Sequence, residues 1–171
     1  MKVHFKITRD LLERTRDNLE RPHSFAAERV GFLSCRVGEI PGGGMIILAH
    51  SYHPVGDEDY LDDSSVGAMM GPGAIRKAME YAYNNPVSMF HVHMHAHLGT
   101  PQFSRIDLRE SRKFIPDFWN VRPKMPHGIL VLSLDSLVGR SWIPDSHRIV
   151  EIEKVTVVGA PIQIIRRSRH G

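Results

Sequence analysis

From Val87 to His97 the chain reads Val-Ser-Met-Phe-His-Val-His-Met-His-Ala-His, an apolar start followed by four histidines at alternate positions, His91, His93, His95 and His97. Alternate side chains share one face only when the backbone is extended. The stretch therefore predicts a β-strand over 87–93, buried where it begins and carrying a row of imidazoles where it ends. Any H-x-H pair in such a row brings two ring nitrogens close enough to hold one metal ion. A fold that accepts this strand must leave its end open to other polar groups.

The flanking sequence supplies layers for that strand. Thr8 predicts the N-cap of a helix carrying Leu11, Leu12, Thr15 and Leu19, which Pro22 stops. The apolar run 29–37 and the run 45–51, joined through Gly42-Gly43-Gly44, predict a β-hairpin. A polar loop over 56–63 follows, with Asp57, Glu58, Asp59, Asp62 and Asp63. Pro72 suits the first turn of a second helix with Ile75, Ala78, Met79 and Ala82 on one stripe, ended by Asn84-Asn85-Pro86. Ser104 precedes a third helical stretch with Ile106, Leu108, Phe114 and Ile115. Late strands are expected over 128–134, 137–143, 149–158 and 161–165. Strands interleaved with three helices imply an α/β layered fold, one domain over 1–171 with a basic tail over 166–171 formed by Arg166, Arg167 and Arg169.

Composition narrows the chemistry. A chain of 171 residues, 42% of them hydrophobic, can bury one substantial core. Its single cysteine, Cys35, cannot form an intrachain disulfide or a thiolate metal cluster, which excludes zinc ribbons and redox pairs. The formal charge of +3 is placed mainly in the tail and is not interleaved with aromatics, so a nucleic-acid partner is not expected. The start, MKVHFKITRDLLERTR, lacks the order of an export signal and no long apolar run follows, so the expected location is cytoplasmic, without a membrane partner.

A catalytic zinc site usually takes three protein ligands and leaves one position for water, and imidazole suits zinc. Asp107 is the candidate third ligand, because Ser104-Arg105-Ile106-Asp107 opens a helix just beyond the histidine row and can fold back over the strand end. Ser-x-x-Asp is also the pattern of a helix capping box, in which Ser104 and Asp107 would merely satisfy backbone amides. The two readings are compatible, since a cap holds its side chains in fixed places.

At this point the sequence resembles the JAB/MPN/Mov34 (JAMM) metalloproteases, whose pattern is an early Glu, then H-x-H, seven residues, Ser, two residues and Asp. Ala27-Glu28-Arg29-Val30-Gly31-Phe32-Leu33 resembles the family's early strand, with Glu three residues before Gly, and His91 to Asp107 resembles the second half. The family spacing places the second histidine at Ala96. The pair His93/His95 needs one extra residue before Ser104, His95/His97 one fewer, and His91/His93 three extra. The favoured ligands are His93, His95 and Asp107. His91 is the alternative, because Met89-Phe90 before it resembles the bulky residues preceding the family's first histidine.

The resemblance implies a JAB/MPN-like fold of the layered kind shared with cytidine deaminases, a Zn2+ cofactor, Glu28 as general base and Ser104 as donor to the tetrahedral oxyanion. It implies hydrolysis of the amide at the end of a ubiquitin-like or sulfur-carrier protein with a Gly-ending tail, as in the prokaryotic deubiquitinase-like branch. The acidic loop would then offer a contact for a basic face of that protein. A non-catalytic MPN-type scaffold and a zinc hydrolase of small amides are the alternatives. Metallo-β-lactamase and zinc deaminase patterns are not matched, the latter needing cysteines that the chain lacks.

Overall fold

The computed structural model describes residues 1–23, 26–63 and 67–166. Thr8 caps the first helix as expected, its hydroxyl accepting the Leu11 N–H, and α1 (Arg9–Leu19) buries Leu11, Leu12, Thr15 and Leu19. Ahead of it lies a strand that the sequence reading did not anticipate, β1 (Val3–Thr8), with Val3, Phe5 and Ile7 buried on one face. The expected hairpin forms from β2 (Val30–Glu39) and β3 (Met45–Pro54), antiparallel with a register shift between Ser34 and Cys35.

After β3 the chain makes a short 3-10 turn over Asp57–Asp59 and a small antiparallel pair, β4 (Tyr60–Leu61) with β5 (Met69–Met70). The acidic stretch is tied down within the chain. Asp57 accepts a bond of 2.6 Å from the buried Arg29 guanidinium, while Lys77 reaches Glu58 at 3.1 Å and Asp59 at 2.6 Å. Asp57, Glu58 and Asp59 thus already face a cation.

Then follow α2 (Pro72–Asn84), the histidine strand β6 (Ser88–Met94), α3 (Arg105–Phe114) running into a 3-10 turn over Ile115–Asn120, and β7 (His127–Leu132) with β8 (Leu137–Ile143). The single late strand expected over 149–158 is two, β9 (Arg148–Glu151) and β10 (Lys154–Val158), because Ile152 and Glu153 cross from one side of the sheet to the other: Ile152 N–H bonds Gly139 in β8 and Glu153 N–H bonds Val3 in β1. The last strand is β11 (Gln163–Arg166). Of the basic tail, Arg166 ends β11 and Arg167 and Arg169 lie outside the described residues.

Nine strands form one mixed sheet in the order β11-β10-β1-β3-β2-β6-β7-β8-β9. β6 lies in its interior, antiparallel to β2 and parallel to β7. Its even positions, Phe90, Val92 and Met94, enter a core with Leu11, Leu12, Leu33, Cys35 and Leu130 beneath α1. Its odd positions, beginning with Met89, face the other layer, where Phe32, Phe118 and the alanines of α2 pack. The fold is a mixed α/β arrangement, and among the described residues no helix is long and apolar enough to cross a membrane.

Candidate metal centre

The register of β6 against β2 sets Phe32 opposite His91 and Val30 opposite His93. Carried two residues further, off the end of both strands, it sets Glu28 opposite His95. The side chains meet there, with Glu28 Oε1 3.8 Å from His95 Nε2. A carboxylate from the early hairpin and an imidazole far along the chain are thus neighbours because two strands pair in one particular register.

The other side of the centre comes from α3. Its N-terminus carries a complete capping box: the Asp107 N–H donates to Ser104 Oγ at 3.1 Å, and the Ser104 N–H donates to Asp107 Oδ2 at 2.7 Å. The same Oδ2 lies 3.5 Å from His93 Nε2. The capping reading of Ser-x-x-Asp holds, and the cap sets the Asp107 carboxylate beside His93. Burial acts to raise the Asp107 carboxyl, but the His93 imidazole and the Ser104 bonds outweigh it and hold the group well below the usual carboxylate range.

The order across the centre is Glu28, His95, His93, Asp107, Ser104. Ligand atoms of Glu28, His93 and His95 all lie within 4.8 Å of one another, so these three could hold a metal ion. Two atoms each about 2.1 Å from a tetrahedral ion stand about 3.4 Å apart, close to the 3.5 Å separating His93 from Asp107. His93 bears most directly on whether a metal ion fits here. Its side chain is only 3% exposed, its Nδ1 is buried without a hydrogen-bond partner, and its Nε2 faces the Asp107 carboxylate at 3.5 Å. A buried imidazole with a carboxylate oxygen at this spacing from Nε2 fits an ion bound between the two. His95 and Asp107, at 23% and 22% exposure, leave the centre open to solvent.

His91 and His97 are placed differently. The His91 ring lies against Phe32 and Phe114, with centroids 5.6 and 5.4 Å away, and burial, with His93 adding to it, pushes its imidazole down to about 3. His97 is exposed and its Nδ1 lies 2.8 Å from the Leu98 carbonyl.

The supports of the centre escaped the sequence reading. Between β6 and α3 the chain turns at Gly99, whose φ of +89° favours glycine. That turn is clamped from the β7–β8 connection, where Asp135 accepts the Gly99 N–H at 2.7 Å and Ser133 Oγ donates to the Gly99 carbonyl at 2.6 Å. Phe103 then packs among Ile115, Ile129 and Trp142 and seats the start of α3. The only local signal was the turn-forming composition Ser133-Leu134-Asp135-Ser136. Cys35 is fully buried, and burial pushes its thiol well up, which leaves it inert.

No protein-family model matches the sequence, and no curated protein matches it. Among solved structures the chain is similar to the Trichoplax adhaerens STIL N-terminal domain, with 11% identity and a TM-score of 0.43 over 93% of this chain and 50% of that one. The chain spans half the length of that protein, and a likeness of that size says nothing about activity.

Proposed function

We propose that this chain is a zinc-dependent peptidase or isopeptidase of the JAMM type, acting in the cytoplasm on the C-terminal amide of a ubiquitin-like or sulfur-carrier protein, with a JAB/MPN-like core as its framework. One observation carries the reading. Glu28, His93, His95, Asp107 and Ser104 come from three separate elements and meet at one strand end, around a buried histidine whose Nε2 faces the Asp107 carboxylate.

His93, His95 and Asp107 would hold the zinc ion. When bound, zinc lowers the pKa of water towards about 7 and polarises a carbonyl oxygen. The remaining work falls to the chain's own groups. Glu28, beside His95 and partly open to solvent, accepts a proton from the attacking water and returns it to the departing amine as the C–N bond breaks. Ser104, exposed at the helix N-terminus and fixed by the cap, donates a hydrogen bond from its hydroxyl to the oxyanion of the tetrahedral intermediate. Asp107 stays a carboxylate because Ser104 and His93 surround it.

A Gly-ending tail suits this centre because an extended chain of small residues can lay its main chain along a strand edge. The β4–β5 pair would take the tail beside the centre, since Gly67, just ahead of β5, accepts the Glu28 N–H. The test is a panel of ubiquitin-like proteins fused through their terminal glycine to a reporter. The account expects cleavage after that glycine, identified by mass spectrometry, abolished by a chelator and restored by zinc. Hydrolysis of unrelated small amides without any fusion being cut would overturn the substrate class.

A further inference from the structure

Glu28 sits on a bend ahead of β2, where no strand pairing holds it. Its surroundings are nevertheless closely fixed. The Tyr60 hydroxyl brackets the Val30 main chain, accepting from the N–H at 2.8 Å and donating to the carbonyl at 3.3 Å. Arg29 is bonded to the Arg21 and Pro22 carbonyls and to Asp57. The Glu28 N–H itself donates to the Gly67 carbonyl at 2.9 Å.

Gly67 also meets the functional end of Glu28. A Cβ built on Gly67 would stand 2.9 Å from Cδ and Oε2 of Glu28 and 3.3 Å from Oε1, closer than side chains tolerate. Those carboxylate atoms are what a methyl at this position would strike. The carboxylate is the free end of a flexible side chain, so it would swing aside while the backbone stayed in place. Gly67 lies two residues ahead of β5, in which Met69 stands opposite Leu61 and Met70 opposite Tyr60.

We propose that Gly67 is a positioning residue for Glu28: its carbonyl anchors the Glu28 main chain and its missing side chain leaves the space in which the carboxylate rests beside His95. The catalytic consequence rests on the reading of Glu28 as general base, but the contact does not. A base moved by about an ångström loses rate steeply, commonly on the order of 10²-fold, while substrate binding elsewhere on the protein is untouched.

The test uses Gly67→Ala, Glu28→Asp and the double variant in the full chain, with the thermal melt confirming folding. Two readouts are taken. The first is kcat and KM on ubiquitin carrying a C-terminal aminocoumarin amide. The second is the NMR spectrum of the histidine rings in zinc-free protein, with His4, on β1 and separated from β2 by β3, as internal reference. Gly67→Ala should lower kcat by at least ~10-fold with KM within about twofold, and should shift the His95 ring signals but not those of His4. In the Glu28→Asp background, where the shorter carboxylate clears the methyl, Gly67→Ala should cost less than about twofold more. Unmoved His95 signals in Gly67→Ala, or an equal rate loss in both backgrounds, would overturn the proposal. Absence of hydrolysis by the wild type would instead count against the proposed function, and the ring signals would still decide whether Gly67 places Glu28.

Discussion

Ser104 is asked to do two things, and substitutions can separate them. Its Oγ accepts the Asp107 N–H at 3.1 Å as a helix cap, and the same hydroxyl is assigned as the donor to the oxyanion. Ser104→Ala removes both and should cost about 1 kcal/mol of stability, while Ser104→Gly should cost only a few tenths, because glycine is a tolerable N-cap. For a chain of this size the alanine loss corresponds to a fall in Tm of about 2–4 °C. Neither change touches the Ser104 N–H that donates to Asp107 Oδ2 at 2.7 Å, so bound zinc should be retained in both. Loss of one oxyanion donor lowers kcat by about 10²–10³-fold, and that should be equal in Ala and Gly. Ser104→Thr keeps cap and hydroxyl and should stay near the wild type in both respects. Thermal unfolding and steady-state kinetics on the four proteins give two orders, Ser and Thr above Gly above Ala for stability, Ser and Thr far above Gly and Ala for rate. A Ser104→Gly enzyme with undiminished kcat would show that the hydroxyl acts only as a cap.

The ligand assignment predicts that His93→Ala, His95→Ala or Asp107→Ala each strongly lowers zinc content measured by metal analysis, whereas His97→Ala leaves about one zinc per chain; retention of full zinc by His95→Ala with loss in His91→Ala would shift the pair to His91/His93. A second expectation concerns His127, fully buried in β7, whose Nδ1 accepts the Met89 N–H at 3.0 Å and whose imidazole is pushed down to about 4 by burial, against a smaller opposing effect of the Arg122 carbonyl. Because the folded value lies below the ordinary 6.5, the unfolded chain binds the proton more readily, so this contribution is complete above pH 6.5 and is lost as pH falls towards 4. The loss amounts to about 3 kcal/mol over that window. Urea unfolding at pH 7, 5.5 and 4.5 should show it, and His127→Gln should flatten the slope; an unchanged slope would remove His127 as its source.

Much of the centre was legible because its signals are local. Alternation alone puts His91 and His93 on one face of β6 with His95 just past its end, and Ser-x-x-Asp alone builds the capping box that brings Asp107 to the strand end. The meeting of Glu28 with His95 is not local, for it depends on how β2 and β6 pair, and no single stretch encodes that register. β1 shows the opposite case. Val3, Phe5 and Ile7 alternate as a strand should, but the pairing that makes them central is with β3 and β10, both parallel and distant in sequence. The acidic segment after β3 read as a polar loop open to a basic partner because its cations, Arg29 and Lys77, lie on other elements. The clamp of Ser133 and Asp135 on Gly99 was hidden for the same reason.

The central claim is that a bound zinc ion and the Glu28 carboxylate divide the work between them. Zinc per chain and the rate of ubiquitin-aminocoumarin hydrolysis, measured on one preparation each of wild type and Glu28→Gln, test it most directly. The account predicts about one zinc in both proteins and a rate at least ~10²-fold lower in the variant. A wild type that hydrolyses the substrate without zinc, or a zinc-loaded Glu28→Gln protein as fast as the wild type, would contradict it.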